Sequence, residues 1–258
     1  MKLSLAKTYT SKIIKGIAEF DMIKEGDHIL VGLSGGKDSS FLLFALVILK
    51  KHLGINFNIS AITIDPGFKA VDYSYLKNLC YELDVPYHIE KTKIAEYILS
   101  EEKTACAKCA HFRRGALVNY MKEKGIKKIA FGHHYDDAVE TFLMSIIYSG
   151  QVLSLQAVRH LTESDIYIIR PLIYLREKQI IEGKKLIDYQ EKENPCPYNK
   201  ISKRAEIKEH LNRFTNDKQI FYNLAAAMRE DAPIERWDKQ MEEEELSLKM
   251  KSLWTGKK

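Results

Sequence analysis

The stretch that decides the fold is HILVGLSGGKDSSFLLFALVIL, residues 28–49. Its first residues, through Gly32, predict a buried strand, and its apolar end predicts a helix. Between the two lies a turn rich in glycine and serine, in which we expect Asp38 or Ser39 to cap the helix. Such a junction is typical of an anion site, because free N–H groups and the helix dipole face the ligand.

The same alternation of strand and helix patterns continues to about Leu172 and predicts an α/β fold, a parallel sheet flanked by helices. An amphipathic N-terminal helix precedes the first strand, and helical patterns resume after Pro171. We therefore expect an N-terminal helical segment (1–26), an α/β domain (27–172) and a helical C-terminal region (173–258). The predicted strands are 28–32, 56–64, 87–90, 128–131 and 166–169, and the main predicted helices are 39–52, 71–83, 108–124 and 136–148.

The composition is that of an ordinary globular protein, with 258 residues, 45% of them hydrophobic and 29% charged. Four cysteines are too few for a secreted disulfide scaffold, and the first twenty residues contain no apolar signal core. The longest apolar run, Phe41 to Leu49, is about half the length of a membrane span. We expect a cytoplasmic protein with reduced thiols and no membrane partner.

The net charge of +5 is unevenly distributed. The segment from Lys103 to Lys128 has eight basic residues and one acidic residue, a local charge of +7, so the rest of the chain sums to −2. Such a run is often only a solvated helix face. Its position beside two cysteines favours a nucleic-acid backbone as partner, with Lys108, Arg113 and Arg114 as candidate contacts. Phe112 and Tyr120 offer stacking surfaces or core packing.

The glycine-rich turn does not follow the Walker pattern, because Asp38 stands where that pattern requires serine or threonine after the lysine. A phosphate or pyrophosphate still fits a turn of this composition. The second predicted strand leads to Asp65 at the same edge of the sheet, where this carboxylate can contact ribose or the adenine amino group. A carboxylate in a turn before Pro66 is the alternative.

Cys106 and Cys109 have the spacing of metal ligands and share one face of a helix. Cys196, between two prolines, is a third candidate, whereas Cys80 follows an apolar helical pattern typical of a core residue. Three thiolates suit an iron–sulfur cluster, and His111 can complete a zinc site instead. The residue types alone leave both metals open.

The fourth predicted strand ends in Gly132-His133-His134-Tyr135-Asp136-Asp137. Two imidazoles and two carboxylates at the carboxyl end of a strand can bind Mg²⁺ or transfer protons. Capping of the next helix is the alternative role of Asp136.

Together these segments resemble one family, the tRNA 2-thiocytidine synthetases, which are iron–sulfur-dependent sulfurtransferases among the PP-loop ATP pyrophosphatases. The turn at Ser34–Ser39 matches the SGGxDS pyrophosphate loop of those enzymes. The match begins upstream of this turn, in GIAEFDMIKEGDHILVGLSGGKDS (16–39). The other matching passages are PGF (66–68), KTACAKCAHFRRGAL (103–117), IAFGHHYDDAVETF (129–142), IIRPLIYLREKQI (168–180) and the Pro195-Cys196 pair.

The resemblance implies a HUP-like, Rossmann-like fold, with ATP, Mg²⁺ and a [4Fe–4S] cluster as cofactors. It implies tRNA as the substrate, sulfide or a cysteine desulfurase system as the sulfur donor, and a possible homodimer. The cluster would be held by Cys106, Cys109 and Cys196, and Asp38 would hold Mg²⁺. The implied nucleotide contacts are Ser34, Gly35, Gly36, Lys37, Asp38, Ser39, Asp65 and Gly132, and the implied catalytic residues are Asp137, Asp136 and His133 with the three cysteines.

The expected reaction is ATP-dependent adenylation of the C2 oxygen of a tRNA pyrimidine, with cytidine favoured, followed by replacement of that oxygen by sulfur. The residues after Cys196, Pro197-Tyr198-Asn199, resemble instead a segment of the 2-thiouridine enzymes, although the zinc-finger cysteines of that group are absent. The alternatives are therefore a tRNA-uridine thiolase, a lysidine-type tRNA ligase and a non-catalytic zinc- and RNA-binding protein.

Overall fold

The computed structural model describes residues 4–68, 71–98, 105–187, 189–190, 203–214, 218–230 and 241–255. The strands are β1 (His28–Gly32), β2 (Asn58–Asp65), β3 (Tyr87–Lys91), β4 (Lys128–Ala130), β5 (Val158–Leu161) and β6 (Ile166–Ile169). The helices are α1 (Lys7–Glu19), α2 (Lys37–Lys50), α3 (Ser74–Glu82), α4 (Ile94–Ile98), α5 (Ala105–Glu123), α6 (Tyr135–Ser149), α7 (Glu177–Gly183), α8 (Lys203–Phe214), α9 (Lys218–Ala227) and α10 (Glu243–Thr255), with a 3₁₀ turn at Lys184–Ile187.

The six strands form one sheet in the order β3-β2-β1-β4-β6-β5. All neighbouring pairs are parallel except β5 and β6, which are antiparallel. The chain builds outward from β1 through β2 and β3, and then continues on the other side with β4. The carboxyl ends of β1 and β4 therefore form a topological switch point, where open α/β sheets bind their ligands.

Each face of the sheet is covered by its own apolar core. Helix α2 is buried along its whole apolar run, from Phe41 to Leu49, between the sheet and helices α1 and α7. On the other face, Leu117 and Met121 of α5 pack against strand residues such as Ile129. This double coverage explains why the strands are apolar on both faces, as expected of a buried parallel sheet.

The predicted parallel sheet is confirmed, and all five predicted strands are present within two residues of their expected ends. The edge strand β5 and the short helix α4 were not predicted. The expected cap of α2 was wrong, because the helix begins at Lys37 with Gly36 as its N-cap, and the Ser39 hydroxyl donates to the Gly36 carbonyl. Asp136 is not a cap either, because His134 occupies that position in α6.

The C-terminal helices α8 and α9 pack on α6. Their apolar residues, including Ile207 and Phe221, surround the buried Val139 of α6. The described side chains of α10, residues 243–250, are all exposed. In the described ranges, no helix has both the length and the apolar content needed to cross a bilayer.

Candidate active site

The glycine-rich turn between β1 and α2 is held in place by its own two serines. The Ser39 hydroxyl lies 3.1 Å from the Ser34 hydroxyl and accepts a 3.2 Å hydrogen bond from the Ser34 amide. Gly35 adopts a φ of +85°, which glycine tolerates and other residues avoid. Within the described chain, no side chain caps α2, so the amide groups of its first turn face outward and can receive an anion.

Gly132 brings the end of β4 into direct contact with this turn. A Cβ atom on Gly132 would lie 2.8 Å from the carbonyl oxygen of Asp38, closer than real Cβ atoms approach such a group. Only glycine therefore permits the observed packing of the β4 end against the start of α2. The same contact places His133 and His134 beside the turn, with His134 Nε2 3.9 Å from Asp38 Oδ1.

Asp38 has the free ligand atom that a divalent cation requires. Its Oδ2 accepts a hydrogen bond from Lys37 Nζ at 3.1 Å, whereas its Oδ1 is buried and has no hydrogen-bond partner among the described residues. A buried carboxylate oxygen without a partner is costly, and Mg²⁺ prefers such oxygen ligands. Asp38 therefore fits the role of a Mg²⁺ ligand.

Lys37 also contacts an acidic residue outside the turn that was not predicted from the sequence. Glu177, at the start of α7, accepts hydrogen bonds from Lys37 at 3.1 Å and from Lys208 of α8 at 2.8 Å. Burial alone would raise the pKa of Glu177, but these two ammonium groups lower that pKa to about 2. The base of the turn is thus fixed by a three-membered ion cluster.

A cavity of about 570 Å³ opens from the turn and runs between the sheet and α5. Its floor is apolar and includes Ile62, Ile129 and Ile168, a surface suited to the flat face of a nucleobase. Its polar lining contains Ser34, Asp38, Ser39, His133, Asp137 and four arginines, Arg113, Arg114, Arg159 and Arg170.

Asp65 ends β2, as predicted, but it does not line this cavity. Its Oδ1 accepts a 2.9 Å hydrogen bond from the Gly67 amide, the turn arrangement that was the alternative reading of this residue. Burial, followed by the Asp65 carboxylate, raises the pKa of the neighbouring Tyr73 to about 12. Contact between Asp65 and a nucleotide stays a prediction.

His133 is held by Arg170, the residue that follows β6. Arg170 Nε donates to His133 Nδ1 at 3.3 Å, and because a guanidinium only donates, the ring proton of neutral His133 lies on Nε2. Burial, together with the charge of Arg170, holds the pKa of His133 well below its usual range. His133 therefore offers the cavity a neutral hydrogen-bond donor.

The two adjacent carboxylates of α6 have different surroundings. Asp137 lines the cavity, where its Oδ2 accepts from the His134 amide at 2.9 Å and its Oδ1 from Arg204 at 3.0 Å. Asp136 lies outside the cavity lining and accepts from Arg176 Nε at 3.0 Å and from the Glu177 amide at 2.7 Å. Only Asp137 is positioned to meet a ligand in the cavity.

The cysteine pair lies in the first turns of α5, on the helix that roofs the cavity. Both Cys106 and Cys109 are within this helix, and the half-buried Cys109 packs at the edge of the α5-face core. Cys196 lies outside the described residues. Cys80 is a core residue as predicted, 1% exposed, and burial raises its pKa to about 12.

The basic residues of α5 divide between the cavity and the surface. Arg113 and Arg114 line the cavity mouth, whereas Lys108 lies beside the aromatic patch of Tyr97 and Phe112 on the exposed side. Tyr120 stacks on His88 at 4.7 Å and is therefore packed against a neighbour. Within the described ranges, no group of three histidine, cysteine, aspartate or glutamate side chains has a metal-binding arrangement.

The cationic partners of the site were not predicted from the sequence. They are Arg159, Arg170, Arg176, Arg204 and Lys208. Alternation along β6 could have identified Arg170, because it shares a face with Ile166 and Ile168. Arg204 lies 67 residues from Asp137, and no local pattern indicates that contact.

Comparison with known proteins gives consistent matches. The family model of the PP-loop domain matches residues 5–213. The chain is similar to tRNA-cytidine(32) 2-sulfurtransferase 1 of Francisella tularensis subsp. tularensis, with 33% identity over 92% of this chain and 91% of that protein. It is also similar to the tRNA-cytidine(32) 2-sulfurtransferase of Alcanivorax borkumensis, with 37% identity over 88% of this chain and 82% of that protein.

Among solved structures, the chain has the fold of the U34-tRNA thiolase NcsA from Methanococcus maripaludis, determined with its [4Fe–4S] cluster. The TM-score is 0.71 at 23% identity, covering 86% of this chain and 76% of that one. At that identity the match supports the fold alone, and it agrees with the sheet and helices described above.

Proposed function

The chain belongs to the PP-loop family that includes the tRNA-cytidine(32) 2-sulfurtransferases, and on this premise we propose that it is an ATP-dependent tRNA sulfurtransferase. The reaction replaces the C2 oxygen of a tRNA cytidine with sulfur. The observation that carries the proposal is the cavity. It joins the glycine-rich turn, where Asp38 Oδ1 has no hydrogen-bond partner among the described residues, to the helix that contains Cys106 and Cys109.

Activation uses the turn. The hydroxyls of Ser34 and Ser39 and the amides of the first turn of α2 hold the β- and γ-phosphates, and Asp38 holds Mg²⁺. The pyrimidine O2 attacks the α-phosphorus, the α–β bridge breaks, and pyrophosphate leaves. The O2 atom is now part of an adenylate, so its later departure as AMP is easy. The apolar floor, with Ile62 and Ile129, accommodates the adenine ring.

The residues at the end of β4 orient the reacting groups. His133 donates through Nε2–H to an oxygen of the α-phosphate, where negative charge builds up during attack. Asp137, fixed by Arg204, accepts a hydrogen bond from the pyrimidine or serves as a second Mg²⁺ ligand. We assign Asp136 a positioning role, because its carboxylate joins the start of α6 to the start of α7.

We propose that Cys106, Cys109 and Cys196 hold a [4Fe–4S] cluster. The start of a helix favours anionic groups, and Cys106 and Cys109 are the second and fifth residues of α5, about one turn apart. When bound, the cluster would supply iron chemistry for the sulfur-transfer step, and the three cysteines of this chain would hold it. Sulfide or a cysteine desulfurase system is the source of that sulfur. The similarity to NcsA supports only the fold, so the cluster proposal depends on the cysteines of this chain.

The test combines metal content with product analysis. Protein purified and reconstituted without oxygen is assayed for iron and visible absorption, then given ATP, sulfide and unmodified tRNA, and the nucleosides are identified by mass spectrometry. We expect 2-thiocytidine from the wild type and from Cys80→Ala, the matched core control. We expect neither cluster absorption nor product from Cys106→Ala, Cys109→Ala or Cys196→Ala.

The other candidate functions give different results in the same assay. A 2-thiouridine product indicates a uridine thiolase, and lysine incorporation by the Cys106→Ala variant indicates a lysidine-type ligase. Zinc in place of iron, with no modified nucleoside from any tRNA, indicates a non-catalytic RNA-binding protein. Each of these outcomes contradicts the proposal.

A further inference from the structure

We propose that Arg159 and Arg170 form a second anion subsite, separate from the pyrophosphate turn, that binds the phosphodiester backbone of tRNA beside the target nucleotide. The inference rests on the proposed function and adds the path by which a polynucleotide enters the cavity. The two residues belong to the β5–β6 strand pair rather than to the basic helix α5: Arg159 lies in β5, and Arg170 directly follows β6.

The strand register places both guanidinium groups on the cavity face. Arg159 of β5 pairs with Ile168 of β6, and side chains of paired residues point to the same face of a sheet. Ile168 packs in the core on the α5 side, and Arg170 follows it by two residues, so it returns to that face. Both arginines line the same cavity as the turn.

The two arginines form a path of positive charge from solvent to interior. Arg159 is exposed on the edge strand, whereas Arg170 is only 7% exposed. A chain of phosphates can follow such a path, while a small ligand confined to the cavity would not need the outer residue. Arg113 and Arg114 stand above them on α5, so the mouth of the cavity is basic on two sides.

Neither arginine has an ion-pair partner in the described part of the chain. Arg170 donates to His133 Nδ1 and to the Gln156 carbonyl, which are both neutral acceptors. Burial and the nearby charge of Arg159 lower the pKa of Arg170 to about 10. A buried guanidinium without an anion is destabilising, and a bound phosphate would offset that cost.

The two carboxylates that line the cavity each have another ion-pair partner, Asp38 with Lys37 and Asp137 with Arg204. The charge of Asp137 still favours the charged form of Arg170, although no ion pair joins the two among the described residues. A phosphate of a bound ligand would supply the direct anionic partner that Arg170 lacks among those residues.

The position of the two arginines relative to the turn favours the tRNA backbone, rather than the phosphates of ATP, as their ligand. Strand β4 separates β6 from β1, so the Arg170 backbone lies roughly 10 Å across the sheet from the turn. In a displacement at phosphorus, the attacking oxygen approaches opposite the leaving pyrophosphate. With pyrophosphate on the turn over β1, the incoming nucleotide approaches from the β4–β6 side, where the two arginines lie.

The experiment measures the salt dependence of binding. The variants are Arg159→Gln, Arg170→Gln and, as a control of equal charge change, Lys77→Gln, which is exposed on α3 behind the opposite face of the sheet. Fluorescence anisotropy gives the affinity for unmodified tRNA at salt concentrations from about 50 to about 200 mM. Over this range the affinity of phosphate-binding proteins changes strongly with salt. Calorimetry gives the affinity for ATP.

We expect each arginine variant to reduce the slope of log K against log salt by about 0.7–0.9, the value for one phosphate contact. For Arg159→Gln, which has no contact with His133, ATP affinity stays within about twofold of wild type, and Lys77→Gln keeps both values. If Arg170→Gln does not fold by circular dichroism, the exposed Arg159→Gln decides alone.

Unchanged slopes overturn the inference, and so does a loss of ATP affinity with unchanged tRNA binding, which would assign the subsite to the nucleotide. The proposed function fails separately, because in that case the wild-type protein yields no thiolated nucleoside. A wild type that thiolates tRNA while both arginine variants bind like wild type contradicts only the subsite.

Discussion

Replacing the buried Glu140 with glutamine should stabilise the protein at alkaline pH and leave it nearly unchanged at acid pH. Glu140 is 3% exposed on α6, and its Oε2 lies 3.5 Å from Arg204 Nη1. Burial, and then the neighbouring Asp137 carboxylate, raise the pKa of Glu140 to about 7, against the opposing effect of Arg204.

The sign of the pH dependence follows from proton uptake. Between pH 4.5, the ordinary pKa, and pH 7, the folded protein keeps a proton that the unfolded chain has lost, so stability falls as pH rises through this window. Each pKa unit corresponds to about 1.4 kcal/mol, so the total cost of ionising Glu140 is roughly 3 kcal/mol. Glutamine retains the shape and hydrogen-bonding capacity but never ionises, and therefore avoids this cost.

The assay is urea unfolding at about pH 5 and about pH 8.5. Most of the ionisation of Glu140 in the folded protein occurs between these two values. The control is Glu82→Gln, at an exposed position at the end of α3. We expect Glu140→Gln to be more stable than wild type by roughly 2–3 kcal/mol at the higher pH and by less than about 1 kcal/mol at the lower one. The same difference at both pH values, or a loss at the higher pH, would refute this account of Glu140.

Two further variants test the architecture of the site. Gly132→Ala brings a Cβ to 2.8 Å from the Asp38 carbonyl oxygen, so the turn must shift, and we expect ATP affinity measured by calorimetry to fall on the order of tenfold with tRNA binding unchanged. Wild-type ATP affinity would contradict the role of this contact. Glu177→Gln leaves Lys37 and Lys208 without their shared anion, and we expect unfolding in urea at neutral pH to show a loss of roughly 2–3 kcal/mol. Because the pKa of Glu177 is about 2, the difference should disappear as pH falls from 4.5 toward 2, and a difference that persists there would contradict the ion-cluster explanation.

The sequence predicts the parts of this protein that depend on local pattern. The parallel sheet, the turn from Ser34 to Ser39 and the core position of Cys80 all follow from periodicity and composition, and the structure agrees. Strand β5 escaped prediction because it is only four residues long, lies at an edge and carries an exposed Arg159. Without the broad apolar signal of a buried strand, its pattern resembles a loop.

The contacts that shape the site come from distant parts of the chain and could not be predicted in this way. The partners of Asp136 and Asp137 lie 40 and 67 residues further along, at Arg176 and Arg204. Charge composition indicates that cations are available but not which carboxylate each one meets. The basic segment on α5 was identified from composition, whereas the position of Arg170, which has no ion pair among the described residues, requires the strand register.

The ion pairs between α8 and the start of α6 also set a limit on how this protein can be divided. A chain shortened after residue 172 would retain the whole sheet and the ATP turn, yet Asp136 and Asp137 would lose their arginines, and Glu177 would be lost from beside Lys37. Such a fragment would lack a formed catalytic pocket, and α2 would also lose the buried Leu175 and Ile180 from its core. For anyone transplanting this activity to another scaffold, the smallest transferable unit therefore extends through α8.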